Sequence, residues 1–262
     1  MRITNVLLVL AVAMVIACAG VVVVDDGDAV KERYGIVGAM EEEVVTLVNN
    51  MERDNVEIIA GTEYHDGKLC GKDVVVVRSG YGKVNAAMHT QTLIDRFHVT
   101  AVINTGVAGT LTADVGIGDI VVSTDTVQHD FELVEIGFPA GVVPEVGRVN
   151  IPADPALITK AVEGIKAASP DTNVFQGRVC TGDQFISGAE EMEPIIEQYG
   201  GLCCEMEGGA VAQVCYLNGL PFVVIRAISD EVNGDGPADY DQFMAEMASL
   251  CANMTMNMLR AM

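Results

Sequence analysis

The chain is short of positive charge. Fifteen Lys and Arg stand against 37 Asp and Glu, a formal net charge of −22 over 262 residues. Such a surface repels phosphate backbones and anionic lipid, so nucleic-acid binding is not expected. Neutral or cationic small ligands stay compatible with it. Cysteine pairs at metal or redox spacing are missing too. The seven cysteines (Cys18, Cys70, Cys180, Cys203, Cys204, Cys215 and Cys251) form no C-x-x-C pair, which leaves zinc and thioredoxin-type chemistry unsupported. Most sit in apolar runs and read as buried thiols. The four histidines (His65, His89, His98 and His129) lack ligand spacing. Neither a metal nor another cofactor is expected. No low-complexity tract, solenoid repeat or Ser/Pro-rich linker interrupts the chain. One globular domain behind a short leader is the economical reading.

The leader, residues 1–24, differs in kind. Arg2 supplies one positive charge, and Val6 to Val24 then runs for 19 residues without a charged side chain. Val15-Ile16-Ala17-Cys18 reads as a lipobox with Cys18 as the acylated residue. Ala17-Cys18-Ala19 also fits an A-x-A cleavage site. The uncut run is just long enough to span a bilayer, and the apolar Val21 to Val24 favours that reading over a polar lipoprotein tether. A buried core helix competes, but nothing after the run pairs with it. Export or membrane anchoring is expected, or else a cytoplasmic domain on an N-terminal membrane anchor. Residues 25–32 then serve as a linker and 33–262 as the folded domain.

Within that domain, short apolar runs alternate with helical patterns. Strands are predicted at 34–37, 56–60, 63–69 (with the greater exposure), 74–77, 101–104, 119–126, 174–180, 202–204 and 222–228. Helices are predicted over 44–51, 84–97, 155–168, 190–199, 207–217 and 238–259, and a long loop over 131–150. This pattern predicts an α/β fold, a single three-layer domain with a central mixed β-sheet flanked by helices. Ligands in such sheets sit at the carboxyl ends of strands.

Three strand ends carry carboxylates. GAMEEEV (38–44) places three glutamates at a helix start, where the dipole favours acids for a bland reason. The apolar stripe at Val44, Leu47, Val48 and Met51 puts Glu42 in solvent and leaves Glu41 and Glu43 at its two edges. Periodicity does not choose between them. Glu207 precedes Ala210, Val211 and Val214 by three, four and seven residues, which places it on a buried helix face. A carboxylate there needs partners or a ligand. The run Arg226-Ala227-Ile228-Ser229-Asp230 ends a third strand in an acid. Three carboxyls at three strand ends suit acid/base work on one bond. Two Gly-bearing turns, Arg78 to Lys83 and Asn104 to Gly109, would let backbone approach a small ligand. Neither is a P-loop or a dinucleotide fingerprint.

The ordered set GAMEEEV, SGYGKVNAA, NTGVAG, GDIVVS, TGDQFI, CEMEGGAVA and RAISD resembles the methylthioadenosine/S-adenosylhomocysteine nucleosidases of the nucleoside phosphorylase superfamily. It runs from about residue 33 to the C-terminus. The resemblance implies that Glu43 activates the attacking water and Asp230 protonates N7 of adenine. It implies that Met206 and Glu207 hold the ribose, Phe185 stacks on adenine, the Ile186 backbone reads its edge, and Gly109 lies in the same pocket. Met40, Tyr81 and Phe243 would line the ribose and 5′-thioalkyl end. It also implies a homodimer in which part of residues 131–144 closes the partner's pocket. Val107 stands where many relatives have Ser, and Gly208-Gly209 loosens a helix start that is often Ala-rich. The acidic run from Glu231 to Asp235 is expected to gate access. A phosphorylase of the same fold, a futalosine-type nucleosidase and an anchored nucleoside-binding protein without turnover are the alternatives. The first needs cations around phosphate, where GAMEEEV puts acids.

Overall fold

The computed structural model describes residues 31–231 and 236–262. The leader, with Cys18, and most of the expected gating run lie outside the described residues. Strand β1 (Arg33–Gly38) leads into α1 (Glu41–Asn49), followed by β2 (Glu52–Ile59), β3 (Thr62–Leu69), β4 (Lys72–Arg78) and α2 (Lys83–Phe97). Then come β5 (Ala101–Thr110), β6 (Ile120–Gln128), β7 (Asn150–Pro152), α3 (Pro155–Ala168) and β8 (Val174–Thr181). The chain continues through α4 (Ala189–Tyr199), β9 (Cys203–Glu205), α5 (Gly208–Asn218) and β10 (Phe222–Asp230) to α6 (Gly236–Ala261). Helix ends follow local chemistry. Asp154 Oδ1 caps α3 by accepting the Ala156 and Leu157 amides at 2.9 Å each. Gly219 closes α5 in the left-handed conformation, φ +69°.

Among the described residues, ten strands form one mixed sheet. Parallel pairs join β4, β1, β5 and β10, while β6 lies antiparallel to β10 and parallel to β8. Because β9 pairs with both β8 and β5, the strands β5, β10, β6, β8 and β9 close into a ring. Alternation along the central strands builds two cores. Ile36, Val74, Val76 and Ile103 face α1, α3 and α6. Val37, Val75, Val77 and Val102 face α2 and α5. A strand buried on both faces has no polar side to show, which is why β4 reads as four successive valines. Among the described residues, no helix is long and apolar enough to cross a membrane.

Three expectations are corrected. The exposed strand is β2, not the middle one of its group: β2 pairs only with β3 at the sheet's edge, and Ile58 is 71% exposed. NTGVAG is not a turn, since β5 runs straight through it, paired to β10 from Val102 to Gly109. Its glycines make room for neighbouring side chains rather than for a bend. The 131–150 segment holds a 3₁₀ turn at Val134–Ile136, a bridge between Val143 and Arg148, and the start of β7.

Candidate active site

Register assembles the site. Along β5, Gly106 lies opposite Arg226 of β10, and Gly109 lies between Asp230 of β10 and Cys204 of β9. Two walls therefore stand three residues apart on one strand, about 10 Å at strand rise.

The first wall carries Glu43. The start of α1 leaves Glu41 and Glu42 in solvent and turns Glu43 inward, 3% exposed. Its Oε2 accepts the Ala39 and Met40 amides at 2.5 and 3.0 Å, closing the helix's first turn. Its Oε1 accepts Val107 N–H at 3.0 Å from the neighbouring strand. The carboxylate thus caps a helix and still has lone-pair capacity on Oε1. Burial raises its pKa, against the pull of Arg226 and the three amides. Gly106 is required here, because a Cβ would run into Glu43 Oε1 and stand 2.7 Å from Arg226 Nη1.

Beneath lies a buried ion cluster. Arg226 Nη2 bonds Glu205 Oε2, donates to Asn104 Oδ1 at 2.7 Å and lies 3.7 Å from Glu207 Oε2. Glu205 also accepts the Thr181 hydroxyl and the amides of Glu207 and Gly208, the latter two at 3.1 and 2.8 Å. Its acceptor capacity goes into holding the start of α5. Gly209 N–H donates to Thr181 Oγ1 at 2.7 Å, so the two glycines are tied by their amides rather than loose. Glu207 is buried, and its Oε1 accepts Gly82 N–H at 2.9 Å. Burial, then the charge of Glu205, push its pKa up to about 8.

The second wall carries Asp230, 2% exposed, whose Oδ1 accepts Ser229 Oγ–H at 2.8 Å. Its Oδ2 presses on Gly109 so closely that a Cβ there would collide with it. Burial pushes this carboxyl up to about 6. Beside these groups opens a cleft of about 460 Å³ including its mouth, bordered by Met40, Glu43, Tyr81, Gly109, Phe185, Met206, Glu207 and Ser229 among others. Asp230 is not itself in the lining but sits against Gly109 and Ser229. Phe185 and Tyr81 stand 45% and 60% exposed at the mouth. Ile186 packs with the α4 cluster, and Phe243 lies half-buried against the α6 core. Glu231 Oε1 accepts Ile117 N–H at 3.1 Å.

Sequence reasoning missed three members. Glu205 and Arg226 are the ion cluster, and the available signal was a lone Arg inside the apolar strand Phe222 to Ile228. Tyr240 also borders the cleft, with its hydroxyl on Met40 Sδ at 3.1 Å and its ring edge-on to Phe185 at 5.3 Å. Among the described residues, no group of three or more His, Cys, Asp or Glu is arranged to hold a metal ion.

The family model of the phosphorylase superfamily matches residues 33–261. A 5′-methylthioadenosine/S-adenosylhomocysteine nucleosidase from Shewanella sediminis is 41% identical over 228 residues, covering 87% of this chain and 98% of that one. The nucleosidase of the same name from Colwellia psychrerythraea, solved with adenine, aligns with TM-score 0.84 at 36% identity, over 88% of this chain and 96% of its own. The futalosine hydrolase of Helicobacter pylori aligns with TM-score 0.83 at 31% identity, over 88% and 98%. The chain belongs to the 5′-methylthioadenosine/S-adenosylhomocysteine nucleosidase family, within the phosphorylase superfamily.

Proposed function

We propose that the chain hydrolyses the N-glycosidic bond of 5′-methylthioadenosine and S-adenosylhomocysteine, releasing adenine and the 5′-thioribose. The observation that carries this is the pair of buried carboxyls Glu43 and Glu207 lining one cleft, with a third, Asp230, buried against two further lining residues, Gly109 and Ser229. Asp230, with its pKa near 6, is suited to hold a proton and give it to N7 of the departing base. Glu43, with its pKa raised by burial, is suited to take a proton from water as the water's oxygen bonds to C1′. The ribosyl group carries positive charge as the C–N bond opens, and buried carboxylates stabilise it. Glu207 and Met206 hold the ribose, Phe185 stacks on adenine, and Ile186 offers its backbone to the base edge. Met40, Tyr81 and Phe243 face the 5′ substituent.

Water rather than phosphate is the nucleophile in this reading. Arg226, the cation under the cleft, is already engaged by Glu205 and Glu207. A phosphate dianion beside these acids would be repelled. The likeness to a futalosine hydrolase keeps a second 5′ substituent in view. The test is adenine release from 5′-methylthioadenosine by the full-length chain, with and without phosphate. Equal release supports hydrolysis, and strict dependence on phosphate overturns it. No release, with cleavage of futalosine instead, moves the 5′ preference.

The reading extends to assembly and location. A homodimer is supported by exposed apolar side chains, Tyr81 at the mouth with Val84 and Met88 on α2, and Val134, Ile136 and Phe138 in the 131–150 segment. Sedimentation of a monomer at micromolar concentration would remove it. The apolar run of residues 1–24 supports export or anchoring, with lipidation at Cys18 as one form. The mass of the mature N-terminus from membranes decides among them.

A further inference from the structure

Glu207 does not hold its position alone. Its Oε1 accepts the Gly82 amide, so it depends on the start of α2. That start has no cap of its own, because Gly82 brings no side chain. The next amide, Lys83 N–H, is taken by Asp183 Oδ1 at 2.8 Å, a residue 100 positions away on the loop after β8. Asp183 is itself held. Its amide donates to Asp130 Oδ2 at 2.9 Å, and Lys83 Nζ donates to Asp130 Oδ1 at 2.6 Å. Burial pushes the Asp130 carboxyl up, but the Lys83 ammonium and the Asp183 amide outweigh it and hold its pKa low. The end of β6, the loop after β8 and the first turn of α2 are thereby closed into one ring of hydrogen bonds. The positive end of α2 is shared by two carboxylates, Asp183 on one side and Glu207 on the other. Asp183 is not among the residues bordering the cleft. Any effect it has on the ribose must pass through the α2 start, or through Phe185 two residues on.

We propose, resting on the role given to Glu207 above, that Asp183 is a positioning residue for this reaction. By capping α2 from another segment it keeps Gly82 N–H on Glu207, and so keeps that carboxylate aimed at the ribose hydroxyls. The test is a double-mutant cycle in the full-length chain on 5′-methylthioadenosine, with thermal melts alongside. Asp183→Ala should lower kcat/KM about tenfold, the scale of one charge-assisted hydrogen bond. Asp183→Asn keeps an acceptor oxygen for Lys83 N–H and should recover most of the loss. In a Glu207→Ala background, which removes the acceptor of Gly82 N–H, the Asp183→Ala penalty should shrink to about twofold or less, because the two residues act as a unit. An equal penalty in both backgrounds overturns the proposal and leaves Asp183 a support of the fold or of Phe185. Parental activity in Glu207→Ala alone overturns the role of Glu207, and the proposal with it. If Asp183→Ala does not fold, Asp130→Asn, which loosens the Asp183 amide, takes its place in the same cycle.

Discussion

Replacing Asp230 with Asn separates two consequences of burying this carboxyl. Asn has the same shape, and its oxygen can still accept the 2.8 Å hydrogen bond from Ser229 Oγ–H. It cannot hand a proton to a leaving base. Turnover should fall by about 10²–10⁴-fold, the usual scale for a general acid. Stability should move the other way. Burial lifts the Asp230 pKa from 3.8 to about 6 in the fold. A raised pKa means that the native state binds the proton more tightly than the unfolded chain. The group's favourable contribution is therefore complete below pH 3.8 and is lost as pH climbs through 6. At about 1.36 kcal/mol per pH unit, the ionised group burdens the fold by about 3 kcal/mol at pH 8. Asn carries no such burden. Asp230→Asn should melt later than the parent at pH 8, on the order of 5–10 °C for a domain of this size. The difference should vanish by pH 4. Circular-dichroism melts across that range, beside an adenine-release assay, test both halves. An equal or lower melting temperature at pH 8 refutes the electrostatic reasoning, and turnover above about a tenth of the parent's refutes the acid role.

Glu43→Gln keeps an acceptor for Val107 N–H but loses the base, so adenine release should drop by at least about 10²-fold. Its melting temperature should fall, because the Gln NH₂ takes the place of the oxygen that accepts the Ala39 and Met40 amides. Gly109→Ala adds a Cβ that collides with Asp230 Oδ2. It should cost about 1–3 kcal/mol in urea unfolding and lower kcat at least about tenfold by displacing the acid. Arg226→Met strands Glu205 and Glu207 without their cation and should destabilise by about 3–5 kcal/mol. A variant as stable as the parent would refute the ionic role given to Arg226.

Most elements were legible because burial on one or two faces leaves a periodic trace. The apolar runs Tyr34 to Val37 and Val74 to Val77 read as strands, and Asn218-Gly219 with Pro221 marked the end of α5. What stayed hidden depends on partners distant in sequence. β7 has three residues and exists because β6 offers it an edge. The NTGVAG segment looked like a turn because glycine is a turn residue. In fact β10 holds it straight, and the missing side chains are filled by Glu43 and Asp230 from other elements. Glycine in a strand is a statement about the neighbours' space as much as about the local backbone.

The same distinction divides the site. Glu207 was legible because its helix offered a stripe against which its position could be measured. Periodicity left Glu43 tied with Glu41, because both lie at stripe edges, and only the family resemblance chose Glu43; in the fold the Ala39, Met40 and Val107 amides hold it inward. Glu205 carries no such mark, since a three-residue strand has too few positions to show which face is buried. Arg226 did carry one: a guanidinium in an apolar strand must be paired, so it points to carboxylates not yet accounted for. That inference runs from the cation to the acids, opposite to the usual search for catalytic carboxylates. It matters for the chemistry, because Glu205 raises Glu207 while Arg226 lowers it. The charge state of Glu207 therefore follows its burial first, and then two residues that a search for reacting groups passes over.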